Sequence, residues 1–216
     1  MDWLSLKSVG KSFNGKQVLK SVTLALPRGR VLCLVGPSGQ GKSTLLEIMA
    51  GIQKPGGGTV RREGQVSLLF QDNALVPWLS AERNLRYVLP KDWPESARAG
   101  KVAFWLERFR LDPKMPPTDM SGGMRRRLAL ARTFIVGRPI TLLDEPFAFL
   151  DRYWHSLVAG ILADIAGEGR CAALALHSVN PELKEECGGV LDVLELGPSP
   201  VEIPPGKGGE APDKTQ

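Results

Sequence analysis

The stretch VLCLVGPSGQGKSTLLEIMAG, residues 31–51, passes from an apolar run through a glycine-rich turn into a helix-forming run. Three glycines in the turn tolerate positive φ, so successive backbone N–H groups can point into one hollow. The helix that begins near Lys42 directs the positive end of its dipole at the same hollow. The pattern predicts a nucleoside triphosphate site in which Lys42 reaches the terminal phosphates and Ser43 holds magnesium. A plain strand-to-helix turn is the alternative, and the lysine and the serine argue against it.

Composition indicates a globular chain outside the membrane. The 216 residues are 43% hydrophobic, enough for one domain with an inserted subdomain. We find no apolar run near the roughly 20 residues that span a bilayer, and Asp2 stands where a signal peptide would be basic. We therefore expect a cytoplasmic protein. Three cysteines without a pairing pattern are predicted to be reduced core or near-core residues: Cys33, Cys171 and Cys187.

The charge pattern does not indicate a nucleic-acid partner. The net charge of +5 is modest and spread along the chain. The run Arg125–Arg127 is more typical of one solvated helix face than of a nucleic-acid patch. We expect no nucleic acid among the partners.

Apolar periodicity predicts an α/β protein that begins with an antiparallel hairpin. Segments 3–13 and 15–26 alternate apolar and polar residues around an Asn-Gly turn. Short apolar runs then alternate with helical patterns, which indicates a largely parallel sheet. The predicted strands are 31–35, 66–70, 140–143, 171–176 and 190–196, and the predicted helices are 42–50, 151–166 and 181–187.

A mostly helical insertion is predicted at about residues 72–136. Ser80 resembles an N-cap, and a second helix is expected to start at or just after Ser121. Two apolar stripes at helical spacing support the insertion: Val102, Trp105, Leu106 and Phe109, then Met124, Leu128, Ala131 and Ile135. The domain is predicted to span 1–205, and residues 206–216 are predicted to be a disordered tail.

Two carboxylates follow the apolar strand in ITLLDEP, residues 140–146. The carboxyl ends of parallel strands are where α/β proteins bind ligands. Asp144 can therefore support the magnesium shell, and Glu145 is positioned to act as general base toward an attacking water. The alternative is that the two carboxylates are only turn residues. The glycine-rich turn at 36–43, the predicted phosphate loop, makes this alternative less plausible.

A second anion site is predicted in DMSGGMRRRLALAR, residues 119–132, where a serine and two glycines open a helix. One nucleotide does not need two such sites within one chain. We therefore predict a head-to-tail dimer, in which each chain offers its phosphate loop to one face of a nucleotide and its Ser-Gly-Gly to the partner's nucleotide.

Together these motifs, over roughly residues 3–203, resemble the ATP-binding cassette (ABC) family of transporter ATPases. GPSGQGKST resembles Walker A, LLFQD the Q-loop, MSGGM the signature, LLDEP Walker B, FLD the D-loop and LALHS the switch-histidine segment. Three residues depart from the commonest family pattern: Phe13, Met124 and Phe149. The resemblance implies a P-loop NTPase with a RecA-like parallel core, an N-terminal antiparallel subdomain and an inserted helical subdomain. It also implies hydrolysis of ATP with Mg²⁺.

The resemblance also implies roles for individual residues. Phe13 would stack on adenine, Gln71 would sense magnesium and the γ-phosphate, and His177 would contact that phosphate beside Glu145. The implied ATP contacts are Phe13, Gly36, Pro37, Ser38, Gly39, Gln40, Gly41, Lys42, Ser43, Thr44 and Gln71. The implied magnesium ligands are Ser43, Gln71 and Asp144. The implied contacts to the partner's nucleotide are Ser121, Gly122 and Gly123.

The stretch FQDNALVPWLSAERNL, residues 70–85, resembles importer ATPases of nitrate, sulfonate and taurine uptake. The implied partners are a second ATPase subunit, identical or not, integral membrane permeases and a separate solute-binding protein, with the chain peripheral at the inner membrane face. Trp78 is predicted either to dock on a permease or to pack in the subdomain core. The alternatives are an exporter subunit, a soluble non-transport ABC ATPase, a GTP-dependent switch protein and a non-hydrolysing cassette. A GTP-dependent switch would need an N-K-x-D motif, which the sequence lacks. Glu145 and His177 argue against a non-hydrolysing cassette.

Overall fold

The computed structural model describes residues 2–197 and 201–203. Its strands are β1 Asp2–Phe13, β2 Lys16–Pro27, β3 Val31–Val35, β4 Gly57–Arg62, β5 Val66–Leu69, β6 Ile140–Asp144, β7 Cys171–Leu176, β8 Leu191–Glu195 and β9 Val201–Ile203. Its α-helices are α1 Lys42–Ala50, α2 Ala81–Tyr87, α3 Glu95–Arg108, α4 Gly122–Ile135, α5 Arg152–Gly167 and α6 Pro181–Cys187. The predicted tail, 206–216, lies outside the described residues.

An antiparallel hairpin opens the fold. β1 pairs with β2 through a turn at Asn14 and Gly15, both with positive φ, as the Asn-Gly pair requires. β4 adds to the other edge of β1, and β9 adds in parallel to β2, which gives the order β4-β1-β2-β9. β4 and β9 are not among the predicted strands. β4 is exposed at almost every position, so it has no alternating apolar face to detect.

The second sheet is parallel throughout and has the order β5-β6-β7-β3-β8. The five predicted apolar runs form its five strands. β6 and β7 are buried at every residue, which explains their continuous apolar sequence. The carboxyl ends of β3, β6 and β7 consequently lie together at one edge of the sheet.

Two apolar cores cover the two faces of the parallel sheet. Side chains of α1 and of the antiparallel sheet pack on one face, and those of α4, α5 and α6 pack on the other. Successive residues of β3 alternate between the cores, since Leu32 and Leu34 belong to the first and Val31 and Cys33 to the second. The sheet is therefore a rigid support for the loops at its edge.

The segment between β5 and β6 is helical, with α2, α3 and α4. Ser80 caps α2 and Ser121 caps α4, each accepting a hydrogen bond from the N–H three residues later. The stripe of α3 is buried against α4, with Trp105 and Phe109 stacked in parallel on Phe134. The limits of the subdomain at about 72–136, and of the domain at 1–205, remain predictions.

Two expectations about side chains have different outcomes. All three cysteines are free and buried, as predicted. The solvated face predicted for Arg125–Arg127 was wrong, because Arg126 is only 1% exposed. Ala129 and Leu130 follow Arg126 by three and four residues and are fully buried, so Arg126 lies on the buried face of α4.

Trp78 lies at the surface and not in the subdomain core. Its side chain is 79% exposed, so the core alternative was wrong.

Within the part of the chain that the structure describes, no helix combines the length and the apolar character needed to cross a membrane.

Candidate nucleotide-binding site

The glycine-rich loop connects β3 to α1. Gly39 and Gly41 have φ of 81° and 82°, a conformation that favours glycine. A Cβ on Gly41 would lie 2.7 Å from Val18 Cγ1, so a side chain has no room there. Gly41 is also the N-cap of α1 and makes no side-chain cap, which leaves the first N–H groups of the helix available to an anion.

Lys42 lies inside the curl of this loop. Its ammonium group donates hydrogen bonds to the Gly36 and Pro37 carbonyl oxygens, and the residue is only 5% exposed. Burial lowers the pKa of Lys42, and the nearby Glu145 and Asp144 charges partly oppose that effect. A buried cation beside free N–H groups gives the loop a positive potential that suits phosphate.

A cavity of about 320 Å³ opens beside the loop. Its lining includes most of the residues predicted to bind ATP: Phe13, Ser38, Gly39, Gly41, Lys42, Ser43, Thr44 and Gln71, together with Glu145. Phe13 is 40% exposed at the end of β1, with the Lys11 ammonium 5.0 Å from its ring centroid, so part of the ring is accessible to a planar group. The structure therefore brings together residues from β1, the loop, the Q-loop segment and the end of β6.

A second cavity, of about 280 Å³, contains the predicted magnesium ligands Ser43, Gln71 and Asp144. Burial raises the pKa of Asp144, while a hydrogen bond from the Ser43 hydroxyl and the Lys42 and Arg126 charges oppose the rise. A hydroxyl, an amide and one carboxylate are the oxygen ligands that Mg²⁺ accepts alongside phosphates and water. In the described residues no cluster of three His, Cys, Asp or Glu could hold a metal by itself. The residues fit an ion bound jointly with a phosphate.

Glu145 and His177 form the polar centre of the site. Glu145 Oε1 and His177 Nε2 are 2.9 Å apart, at the ends of β6 and β7. Glu145 has φ of 47°, a left-handed conformation that costs roughly 1–3 kcal/mol for a residue with a side chain. This conformation is stabilised by hydrogen bonds: the Glu145 N–H donates to Ala175 O, and the Glu145 carbonyl accepts from the Ala148 N–H and from Arg126.

Arg126 and Asn84 are two buried residues that the sequence analysis missed. Arg126 links α4 to the end of β6. Asn84 is fully buried and holds the turn around Trp78, accepting from the Val76 N–H at 2.9 Å and donating to Leu79 O at 2.9 Å. Each is polar at a position where an apolar residue is usual, which is the available sequence signal.

The Ser-Gly-Gly segment lies apart from the phosphate loop. Ser121 is exposed, and neither it nor Gly122 nor Gly123 lines the two cavities. A Cβ on Gly123 would lie 2.9 Å from the Phe149 carbonyl oxygen, so the segment packs against the D-loop of its own chain. Phe149 is 79% exposed and has φ of 62°. Ser121 is thus at the surface, while Gly122 and Gly123 are half-buried beside Phe149.

Comparison with known proteins gives the family. Residues 19–148 match the family model described as ABC transporter. The chain belongs to the ABC transporter family. The chain is 33% identical over 209 residues to aliphatic sulfonates import ATP-binding protein SsuB 2 of Agrobacterium fabrum, covering 93% of this chain and 79% of the relative. It is 33% identical over 204 residues to Fe(3+) ions import ATP-binding protein FbpC 3 of Rhodococcus jostii, covering 87% of this chain but only 58% of that relative.

Solved structures agree with this assignment. The fold resembles the ATP-binding cassette MJ0796, solved as a dimer in a post-hydrolysis state bound to ADP and Pi. The TM-score is 0.75 at 25% identity, with 81% of this chain and 88% of that chain covered. The predicted fold class, the ABC ATPase assignment and the use of ATP with Mg²⁺ are confirmed. The roles of the individual site residues stay predictions.

Proposed function

We propose that this chain is the ATP-hydrolysing subunit of an ABC importer. It works as a pair at the inner face of the cell membrane, in the cytoplasm, and drives permease subunits. A separate solute-binding protein delivers the solute to those permeases. The observation that supports hydrolysis best is the 2.9 Å contact between Glu145 and His177 beside the phosphate-loop cavity. The names of the import relatives support the direction of transport.

Each group in the cavity has one task. The loop N–H groups and Lys42 bind the phosphates, and the accessible part of the Phe13 ring stacks on the base. Glu145 takes a proton from the attacking water, and the Nε2–H group of His177, 2.9 Å from Glu145 Oε1, donates to that carboxylate and orients it. Ser43, Gln71 and Asp144 would hold a magnesium ion, which would supply neutralisation of the phosphate charge.

A second copy completes the site. The Ser121 hydroxyl and the N–H groups of Gly122 and Gly123 open α4 at an exposed position, away from the chain's own cavity. A head-to-tail pair brings them to the γ-phosphate of the partner's nucleotide, where a helix N-terminus stabilises negative charge. The dimeric state of the MJ0796 cassette supports this arrangement.

The permease surface includes the turn around Trp78. This turn follows Gln71 by only a few residues and is held by the buried Asn84. A rigid turn that displays a 79% exposed tryptophan is a suitable interface anchor, since its order costs little on binding. Movement of the Q-loop with the γ-phosphate then reaches the permease directly.

The solute is proposed to be a small solute of the sulfonate, nitrate or taurine kind. The sequence after Gln71 and the aliphatic sulfonate relatives both support this class. An iron relative of similar identity makes Fe³⁺ the second candidate.

Two measurements on tagged protein from its own host test the function. Purified chain should release phosphate from ATP in a magnesium-dependent reaction. From detergent-solubilised membranes it should co-purify with a multi-spanning membrane protein, and Trp78→Asp should lose that protein while keeping its melting temperature. Ile52→Asp, at a 56% exposed apolar residue after α1, is the matched control. Hydrolysis without any integral membrane partner would favour the soluble ABC ATPase alternative.

A further inference from the structure

Arg126 is a buried cation that joins three parts of the nucleotide site. Its guanidinium donates to Phe70 O at 2.9 Å and to Asn73 Oδ1 at 2.8 Å, on both sides of Gln71 in sequence. It also donates to the carbonyl oxygens of Asp144 and, at 2.7 Å, of Glu145. One side chain of α4 therefore bonds the Q-loop segment and the end of β6 at once.

Burial of a cation costs free energy of folding, so its presence calls for a functional explanation. Arg126 is 1% exposed, burial lowers its pKa to about 10, and its Nε atom has no hydrogen-bond partner among the described residues. An apolar residue would suit the surrounding face, where Ala129 and Leu130 are fully buried. The acceptors explain the charge, because two of them are the carbonyls on either side of the Glu145 α-carbon.

Those two carbonyls fix the backbone of Glu145. A residue with φ of 47° relaxes to ordinary values unless the surrounding structure holds it. A planar guanidinium that bonds both carbonyls restrains the two peptide planes that define this conformation. The conformation in turn places the carboxylate 2.9 Å from His177.

We propose that Arg126 is a positioning residue for ATP hydrolysis, which holds the strained backbone of Glu145 so that its carboxylate meets His177 and the attacking water. The proposal rests on the proposed role of Glu145 as general base. Because α4 also begins at Ser121, the helix that would contact the partner's nucleotide is tied to the base of its own site.

The test compares Arg126→Met with Arg127→Met. Arg127 lies next along α4 and donates to two carbonyl oxygens, of Phe109 and Arg110, in the helical segment and not in the site. Arg126→Met should lower kcat by about 10²-fold, the usual cost of misplacing a catalytic group, with KM for ATP changed less than about threefold. Arg127→Met should keep kcat within about threefold, whatever its melting temperature.

Chemical rescue separates positioning from general stability. Guanidinium chloride at about 10–50 mM, far below denaturing levels, should restore part of kcat in Arg126→Ala, and equal sodium chloride should not. Glu145→Gln should not be rescued, because its defect is in the base itself. If Arg126→Met yields no folded protein, the neutral Arg126→Gln takes its place, and should still show reduced kcat with unchanged ATP affinity.

Wild-type kcat per folded chain in Arg126→Met or Arg126→Gln would overturn the proposal. So would an equal loss in Arg127→Met, since the effect would then belong to α4 as a whole. Failure of the proposed function appears differently: wild-type chain would release no phosphate, or Glu145→Gln would hydrolyse ATP normally.

Discussion

The phosphate-loop side and the Ser-Gly-Gly side of this chain are both helix N-termini suited to anions, but they differ in the residues that surround them. Around α1 the chain assembles a lysine, two carboxylates, a histidine and an aromatic ring from four separate segments. Around the start of α4 it offers an exposed serine and two glycines against its own D-loop. The difference supports the proposal that one half-site is built within the chain, whereas the other acts on the nucleotide of a second copy.

Removing the base from the assembled half should have the largest effect. We expect Glu145→Gln to lower kcat by about 10²–10⁴-fold, because the water loses its proton acceptor, while ATP affinity is kept. Phosphate release and a fluorescent ATP analogue measure the two quantities. The variant should also remain dimeric in ATP on size-exclusion chromatography. Glu63→Gln, directly after β4, is the control, and normal hydrolysis by Glu145→Gln would assign the base elsewhere.

Blocking the exposed half should stop turnover without preventing binding. We expect Ser121→Arg to lower kcat by about 10²–10³-fold, as loss of a transition-state donor does, with unchanged ATP affinity of the monomer. Ser80→Arg is a matched control, since Ser80 caps α2 as Ser121 caps α4. Lost ATP binding in Ser121→Arg would mean that Ser121 serves the nucleotide of its own chain, so that both halves of a site would come from one copy.

Mixing the defects tests the same comparison within one dimer. A heterodimer of Ser121→Arg with Lys42→Ala contains one site with both defects and one intact site. If the halves combine between chains, the mixture should regain turnover that neither variant has alone. No recovery, in a mixture shown to form the heterodimer, would count against independent composite sites.

Lys42→Ala should weaken ATP binding by about 10–100-fold, because a charge-assisted hydrogen bond contributes about 1.5–3 kcal/mol. The loop N–H groups remain, so binding should not vanish. Titration with a fluorescent ATP analogue measures the loss. Lys20→Ala, at an exposed lysine paired with Glu202, should bind as wild type does. Unchanged affinity in Lys42→Ala would contradict the phosphate-loop assignment.

The smallest expected effect concerns the three buried thiols, Cys33, Cys171 and Cys187. Burial raises the pKa of Cys33 and Cys171 to about 12 and that of Cys187 to about 11. The folded state then binds more protons than the unfolded state above about pH 9, so stability is full below that pH and falls toward pH 11–12. We expect the free energy of unfolding to fall by about 1 kcal/mol per thiol at pH 10. Urea unfolding of the wild type and of a triple alanine variant measures this loss. A parallel pH dependence in both proteins would contradict it.

Sequence patterns predicted the N-terminal hairpin, the five parallel strands and the helical insertion, because each has a strong local signal. The five buried strands are continuous apolar runs, and Ser80 and Ser121 are N-caps in the structure. The contacts of Arg126 could not be predicted, since its four acceptors come from segments 18 to 56 residues away and only folding brings them together. β9 was missed because it has only three residues, too few for an alternating pattern to be recognised.

The placement of β3 has a consequence for biosynthesis. β3 ends at residue 35, yet its neighbours β7 and β8 begin only at residues 171 and 191. At about 5–20 residues per second, a ribosome leaves this apolar strand without either partner for roughly 7–27 seconds. During that interval VLCLV has the composition of an aggregation-prone segment. A chaperone that shields nascent chains should therefore affect the yield of this protein more than its final stability.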